Sequence, residues 1–340
     1  MKNRQLLFCL LCAGNLLVKS HDFTSNGIYY DILDETRHTL AVTFGEKNYT
    51  GSVSIPATVS FDGESYIVTA IGDWAFHSCS QLTGIIIPTS VTTIGNYAFA
   101  DCSRLADITV PASITTIGGG AFSGTAWLSK QGYGPVYAGN VLYSYKGVAP
   151  VGITLQLKTG TTGIATAALS QQSGITTVTL PTSIKNIGEE AFLGCKGITT
   201  LVLPRGITTL PAMNLYGCSN LTSIVVPETV TRISDYALSG CEGLEEIVVL
   251  RTNPPTVTQT AFDEETRKTA ILRVPTGSLN RYRTHPYWTT FSYIVEIGGT
   301  IDDFYDKLKR GDMDADGIIS VADITELIRF YLEEVGRALK

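Results

Sequence analysis

The chain has 340 residues, enough for two ordinary domains, yet only 16% of them are charged and 33 are glycine, a composition that points to a β-rich array. The net charge of −6 comes without any block of Lys or Arg, so there is no electrostatic ground for nucleic acid or an anionic membrane as partner.

In chain order, residues 1–20 carry Lys2 and Arg4, then the apolar run Leu6 to Val18, then Ser20. This reads as a secretory signal peptide cleaved after Ser20, with a disordered or buried N-terminal segment as the alternative. Lipid attachment at Cys9 or Cys12 is the weaker variant, because Phe8 and Leu11 stand where a small residue is expected. No later run is long enough to span a bilayer, so the chain is expected to be secreted or held at the cell surface without a transmembrane segment. Residues 21–67 alternate apolar and polar positions, as in Ile28 to Ile32 and Leu40 to Phe44, and predict a small β cap.

Residues 68–250 are built on one phrase that returns every 23 residues. Ile71-Gly72, Ala75-Phe76, Cys79, Leu82, Ile85, Ile87 and Pro88 recur as Ile94-Gly95, Ala98-Phe99, Cys102, Leu105, Ile108, Val110 and Pro111. Further copies start at Ile117, Ile164, Ile187, Leu210 and Ile233. A fixed period in the twenties is the mark of a solenoid, in which each coil buries its apolar residues only by stacking on the next. Within a coil, Ile85 and Ile87 alternate with Ile86 and predict a short strand closed by Pro88. Asp73 to Ser78 is read as a tight helical turn that carries Ala75 and Phe76 inward. Cys79, Cys102, Cys195, Cys218 and Cys241 share one phase of the repeat, which favours stacked, buried, free thiols over disulfides.

This phrase resembles the leucine-rich repeat of BspA-like bacterial surface proteins, with a consensus close to I-G-x-x-A-F-x-x-C-x-x-L-x-x-I-x-I-P. The resemblance implies a leucine-rich-repeat solenoid of short parallel strands and short helical turns, capped at both ends. It also implies a non-enzymatic adhesive role, with a host or matrix protein, a glycan or a neighbouring cell as partner.

The outward strand positions fall on the same lattice at Ile86, Thr109, Thr179, Val202, Val225 and Val248, an uncharged and β-branched column. Two readings of it stay open: a ligand-binding face, or simple strand propensity on an exposed sheet. A break at about 133–150 reads as a hairpin turning at Gly139-Asn140, whose Tyr133, Tyr137, Tyr143 and Tyr145 are either a binding platform or cross-strand packing. Residues 251–298 lose the lattice at Asn253-Pro254-Pro255 and predict a C-terminal cap, with Tyr282, Trp288 and Phe291 folded over the last coil.

After a linker at 299–309, residues 310–340 hold the one chemical motif. Asp312, Asp314, Asp316, the Ile318 carbonyl, Ser320 and Asp323 stand at positions one, three, five, seven, nine and twelve of a loop with Gly317 at six. That is the spacing of a Ca2+ loop, hard oxygens around a hard cation with glycine at the sharp turn. Ile324, Leu327, Ile328, Tyr331 and Leu332 follow at helical spacing. A terminal Asp in place of Glu resembles one half of a dockerin, which implies a cohesin-like partner, although a full dockerin has two such loops. The alternative is an acidic turn in which Asp323 caps the helix without metal. No His-Glu-x-x-His, Gly-x-Ser-x-Gly or phosphate-binding glycine loop occurs, and no catalytic residues are assigned.

Overall fold

Each return of the 23-residue phrase adds a rung to two ladders of parallel strands. The structure, a computed structural model, describes residues 21–298. The expected signal peptide at 1–20, the expected linker at 299–309 and the expected calcium-binding module at 310–340 lie outside the described residues.

The broad ladder is the one that the Ile85-Ile86-Ile87 alternation predicts. It pairs Gly51–Ser54, Leu82–Ile86 and Asp107–Thr109, then Ile153–Gln156 with Ile175–Thr179. It then runs through Thr200–Val202, Ser223–Val226, Glu246–Val249, Ile271–Val274 and Tyr293–Glu296. Leu82, Ile85 and Ile87 are buried while Ile86 is 60% exposed, as period-two alternation demands. Each closing proline cannot donate, and its carbonyl instead ties the turn that follows, accepting from Val91, Ile114, Ile207 and Val230 three residues on.

A second, narrow ladder joins the Ile-Gly positions themselves. Ile71 pairs with Ile94 and Ile94 with Ile117; Leu142 of the hairpin, Ile164 and Ile187 continue it, and then Leu210, Ile233 and Val257. Glycine follows the isoleucine because successive coils approach closely there. A Cβ on Gly95 would stand 2.5 Å from the Asp73 nitrogen, and one on Gly118 2.4 Å from that of Asn96.

The expected helical turn at Asp73 to Ser78 is replaced by a non-helical one. Trp74 and Ser78 take left-handed backbone angles (φ 60° and 58°), as do Tyr97 and Asp101 one coil later. The reason lies in the neighbouring coil: the N–H groups of Trp74, Phe76 and Ser78 donate to the carbonyls of Asn96, Ala98 and Ala100 at 2.7–2.9 Å. Alternate donors therefore point along the solenoid axis, and the bonds offset the strain that a non-glycine residue meets at positive φ.

Between the ladders the inward residues stack on their own copies. Phe76 and Phe99 have centroids 5.0 Å apart, and Phe99 and Phe122 5.5 Å, both nearly parallel. The five repeat cysteines are free and buried. The thiols of Cys102 and Cys195 donate to carbonyls one coil back, at Phe76 and Leu169, both at 2.9 Å. Burial pushes the Cys195 and Cys241 thiols up to about 12 from 9.0. In the unfolded chain they ionise near the lower value, so their contribution to stability is complete below pH 9 and is lost as pH rises towards 12. A thiol titration of the native protein at pH 8 is expected to modify none of the five. Stability is expected to fall above pH 9, less steeply in a Cys195→Ala/Cys241→Ala variant; rapid modification of the native thiols would contradict this.

The N-terminal cap is a meander of Phe23–Ser25, Ile28–Asp34 and Thr39–Thr43, and its last strand pairs in parallel with Glu64–Ile71. Tyr49 closes the start of the aromatic column, 4.5 Å from Phe76, and its hydroxyl donates to the Thr43 carbonyl at 2.7 Å. At the other end Trp288 is fully buried, and its indole N–H donates to the Pro255 carbonyl at 2.9 Å. The expected C-terminal cap at 251–298 also lengthens the broad ladder, because two of its strands, Ile271–Val274 and Tyr293–Glu296, are further parallel rungs.

Candidate ligand-binding face

Strand register places the predicted outward residues on one side of the broad ladder, in three groups. Ile86 lies beside Thr109, Thr179 sits on the separate two-stranded stretch, and Val202, Val225 and Val248 stand on adjacent rungs. Their surroundings differ. Ile86 and Thr109 are open to solvent, and Thr179 and Val202 are half-buried.

Val225 and Val248 depart from the expectation of a solvent-facing column: each is only 1% exposed. They alternate with the core residues Ile224, Val226, Ile247 and Val249 and so point away from the core. The neighbouring rungs differ: Val225 stands between Val202 and Val248, and Val248 between Val225 and Arg273, whereas Ile86, flanked by the smaller Ser54 and Thr109, stays 60% exposed at the same position.

The column is not uncharged either. Its next rung is Arg273, which is buried and ion-paired through Nε with the buried Glu246 Oε1. Glu246 Oε2 and the nearby Ser223 Oγ are buried and have no hydrogen-bond partner among the described residues. Sequence reasoning missed this pair because the two residues are 27 apart, off the 23-residue lattice.

A second feature repeats with the phrase itself. Trp74 and Tyr97, one repeat apart, stack at 4.4 Å and 20° on the turns, and Tyr97 is 43% exposed. The hairpin forms as expected, from Gly134–Ala138 and Val141–Lys146, but its tyrosines do not assemble a platform. Tyr143 is buried edge-on to Phe122, and its hydroxyl accepts from the Phe122 N–H at 3.0 Å. The Tyr137 hydroxyl accepts from the Lys158 N–H, which leaves Tyr133 alone fully exposed.

His77, two residues before the buried Cys79, lies 3.5 Å from the Asp101 carboxylate and 3.1 Å from the Ser78 hydroxyl. Among the described residues, no three His, Cys, Asp or Glu side chains gather as metal ligands, and no helix is long and apolar enough to cross a membrane. The calcium-loop ligands Asp312, Asp314, Asp316, Ile318, Ser320 and Asp323 lie outside the described residues.

Comparison with known proteins gives the chain its relatives. The model of the BspA type leucine rich repeat region matches in six copies over residues 43–133 and 152–269, more than half of the chain. A leucine-rich repeat protein of T. pallidum is similar at 23% identity, over 66% of this chain and 90% of its own, with a TM-score of 0.33. One from Bacteroides ovatus is 22% identical over 82% of this chain and 77% of its own, with a TM-score of 0.35. The pneumococcal vaccine antigen PcpA is 14% identical over 83% of this chain and all of its own, with a TM-score of 0.40. No curated protein matches. With its two ladders, its stacked phenylalanines and a repeat match over most of its length, the chain belongs to the BspA-type leucine-rich-repeat family.

Proposed function

We propose that the chain is an exported, non-enzymatic binding protein that holds a host or matrix protein, or a glycan, on the open stretch of strand face around Ile86 and Thr109. The observation that carries this reading is Ile86 itself, a large branched hydrophobe 60% exposed at the centre of a rigid parallel ladder. Such a position offers apolar contact area whose ordering cost is already met by the fold, which is what a preformed binding face requires. Membership of a repeat family built to present surface supports binding over chemistry. Thr179 and Val202, on other stretches of the ladder, are half-buried and offer less surface, and the buried Val225 and Val248 do not belong to that face.

A second reading is favoured by the loop at 312–323: calcium-dependent docking into a cohesin-like partner within an extracellular assembly. It rests on the ligand spacing Asp312, Asp314, Asp316, Ile318, Ser320 and Asp323.

One experiment separates them. The full chain and its Ile86→Lys/Thr109→Lys variant are run on glycan and matrix-protein arrays with and without calcium, beside a calorimetric titration with calcium alone. The first reading expects a ligand lost by about tenfold or more in the variant at unchanged melting, the effect of an apolar anchor replaced by charge. Binding that survives the variant would place the site elsewhere, and no heat with millimolar calcium would remove the docking reading.

A further inference from the structure

We propose that the loop at 147–152, with the Tyr133 ring laid against it, is a knob that dips into the headgroup region of an anionic lipid bilayer. This does not rest on the strand-face reading above. Tyr133, Val148 and Val151 are 90%, 86% and 94% exposed, whereas no other large hydrophobic among the described residues exceeds 60%. Pro150, between the two valines, is exposed as well. A Cβ on Gly147 would stand 2.7 Å from the Tyr133 ring, so ring and loop form one apolar projection.

The projection has a fixed base. Gln172 holds it twice: its Nε2 donates to the Gly147 carbonyl at 3.1 Å, and its Oε1 accepts from the Ala149 N–H at 2.8 Å. The Gly152 N–H donates to the Gly174 carbonyl at 2.9 Å. Just before the loop, the Lys146 ammonium donates to the carbonyls of Leu128, Ser129 and Gln131 at 3.2, 2.9 and 2.5 Å. Apolar side chains mounted in this way lose little freedom on contact with a partner.

Charge and shape decide what the partner is. The net charge of −6 is unevenly spread: residues 108–188 hold Lys130, Lys146, Lys158 and Lys185 and none of the 31 acidic residues of the chain. Lys130 and Lys158 are exposed, the first three residues before Tyr133 and the second 5.9 Å from the Tyr137 ring. An anionic surface therefore attracts this part of the solenoid and repels the remainder, which turns the knob towards it. Side chains exposed on nearly every side need a partner that encloses them, and fluid lipid does so without a matching cavity. Tyrosine, an apolar ring with a polar tip, suits the headgroup level, and lysine stems lie along apolar surface while their ammonium groups stay with the phosphates. Among the described residues no helix is long and apolar enough to cross a membrane, so this contact is peripheral.

The test is amide hydrogen exchange of the full chain, read peptide by peptide, with vesicles of phosphatidylcholine alone and of phosphatidylcholine mixed with phosphatidylglycerol. On the mixed vesicles, exchange at 147–152 is expected to slow by about tenfold or more, since exposed loop amides are otherwise among the fastest. Exchange around Ile86 should not change. Val148→Asp/Val151→Asp should abolish the protection, and Lys130→Gln/Lys158→Gln should weaken it. All four positions are exposed, and unchanged exchange in the rest of the solenoid shows that the variants fold. The proposal is overturned if the loop is not protected on the mixed vesicles, if protection survives the two aspartates, or if it is equal on phosphatidylcholine alone.

Discussion

Replacing Phe99 with alanine is expected to lower the stability of the solenoid by about 3–5 kcal/mol, the cost of removing a fully buried aromatic side chain from a core that relaxes only partly. Phe99 is inaccessible to solvent and lies in the middle of a run of three rings, so its loss opens both of its stacking contacts, 5.0 Å and 5.5 Å to the neighbouring centroids. The hole cannot close by a shift of one coil, because each coil is fixed to the next by backbone bonds. Phe99 N donates to the Ala121 carbonyl at 2.8 Å, and Phe76 N to that of Ala98 at 2.7 Å. In a solenoid the damage is felt by the mutated coil and its two interfaces, and then by every coil that relies on them. Denaturant unfolding of the full chain measures it, with Ile86→Ala as the control. The exposed Ile86 should cost no more than about 0.5 kcal/mol, the usual range for a surface change. A loss below about 1 kcal/mol for Phe99→Ala would mean that the ring column does not carry the array.

That column is legible in the sequence because its residues recur in phase, and so is the broad ladder, because Ile85, Ile86 and Ile87 alternate before a proline. What was not legible depends on the neighbouring coil. Nothing local to Trp74 or Ser78 favours a left-handed backbone; the carbonyls of Asn96 and Ala100 impose it from one repeat away. The narrow ladder escaped notice because strands such as Thr93–Ile94 and Thr116–Ile117 are too short to show an alternation. The outward column carried its own ambiguity. β-Branched residues serve equally well in solvent and when buried, so Ile86 and Val225 look alike in sequence and differ in the fold from 60% to 1% exposure. The hairpin tyrosines show the same limit in the opposite sense: Tyr133 and Tyr143 are alike in sequence, and the Phe122 ring and N–H bury only the second.

The second large effect is expected at the buried end of that column. Arg273→Met should destabilise the protein by about 3–5 kcal/mol, because it leaves the Glu246 carboxylate buried without its counter-charge. The double change Glu246→Leu/Arg273→Met, which removes both charges, should come within about 1–2 kcal/mol of the natural protein, since a buried pair and an apolar pair of similar volume are often nearly equivalent. Urea unfolding of the natural protein, the two single variants and the double variant gives the coupling directly. Equal losses in Arg273→Met and in the double variant would show that the penalty is one of packing and not of charge.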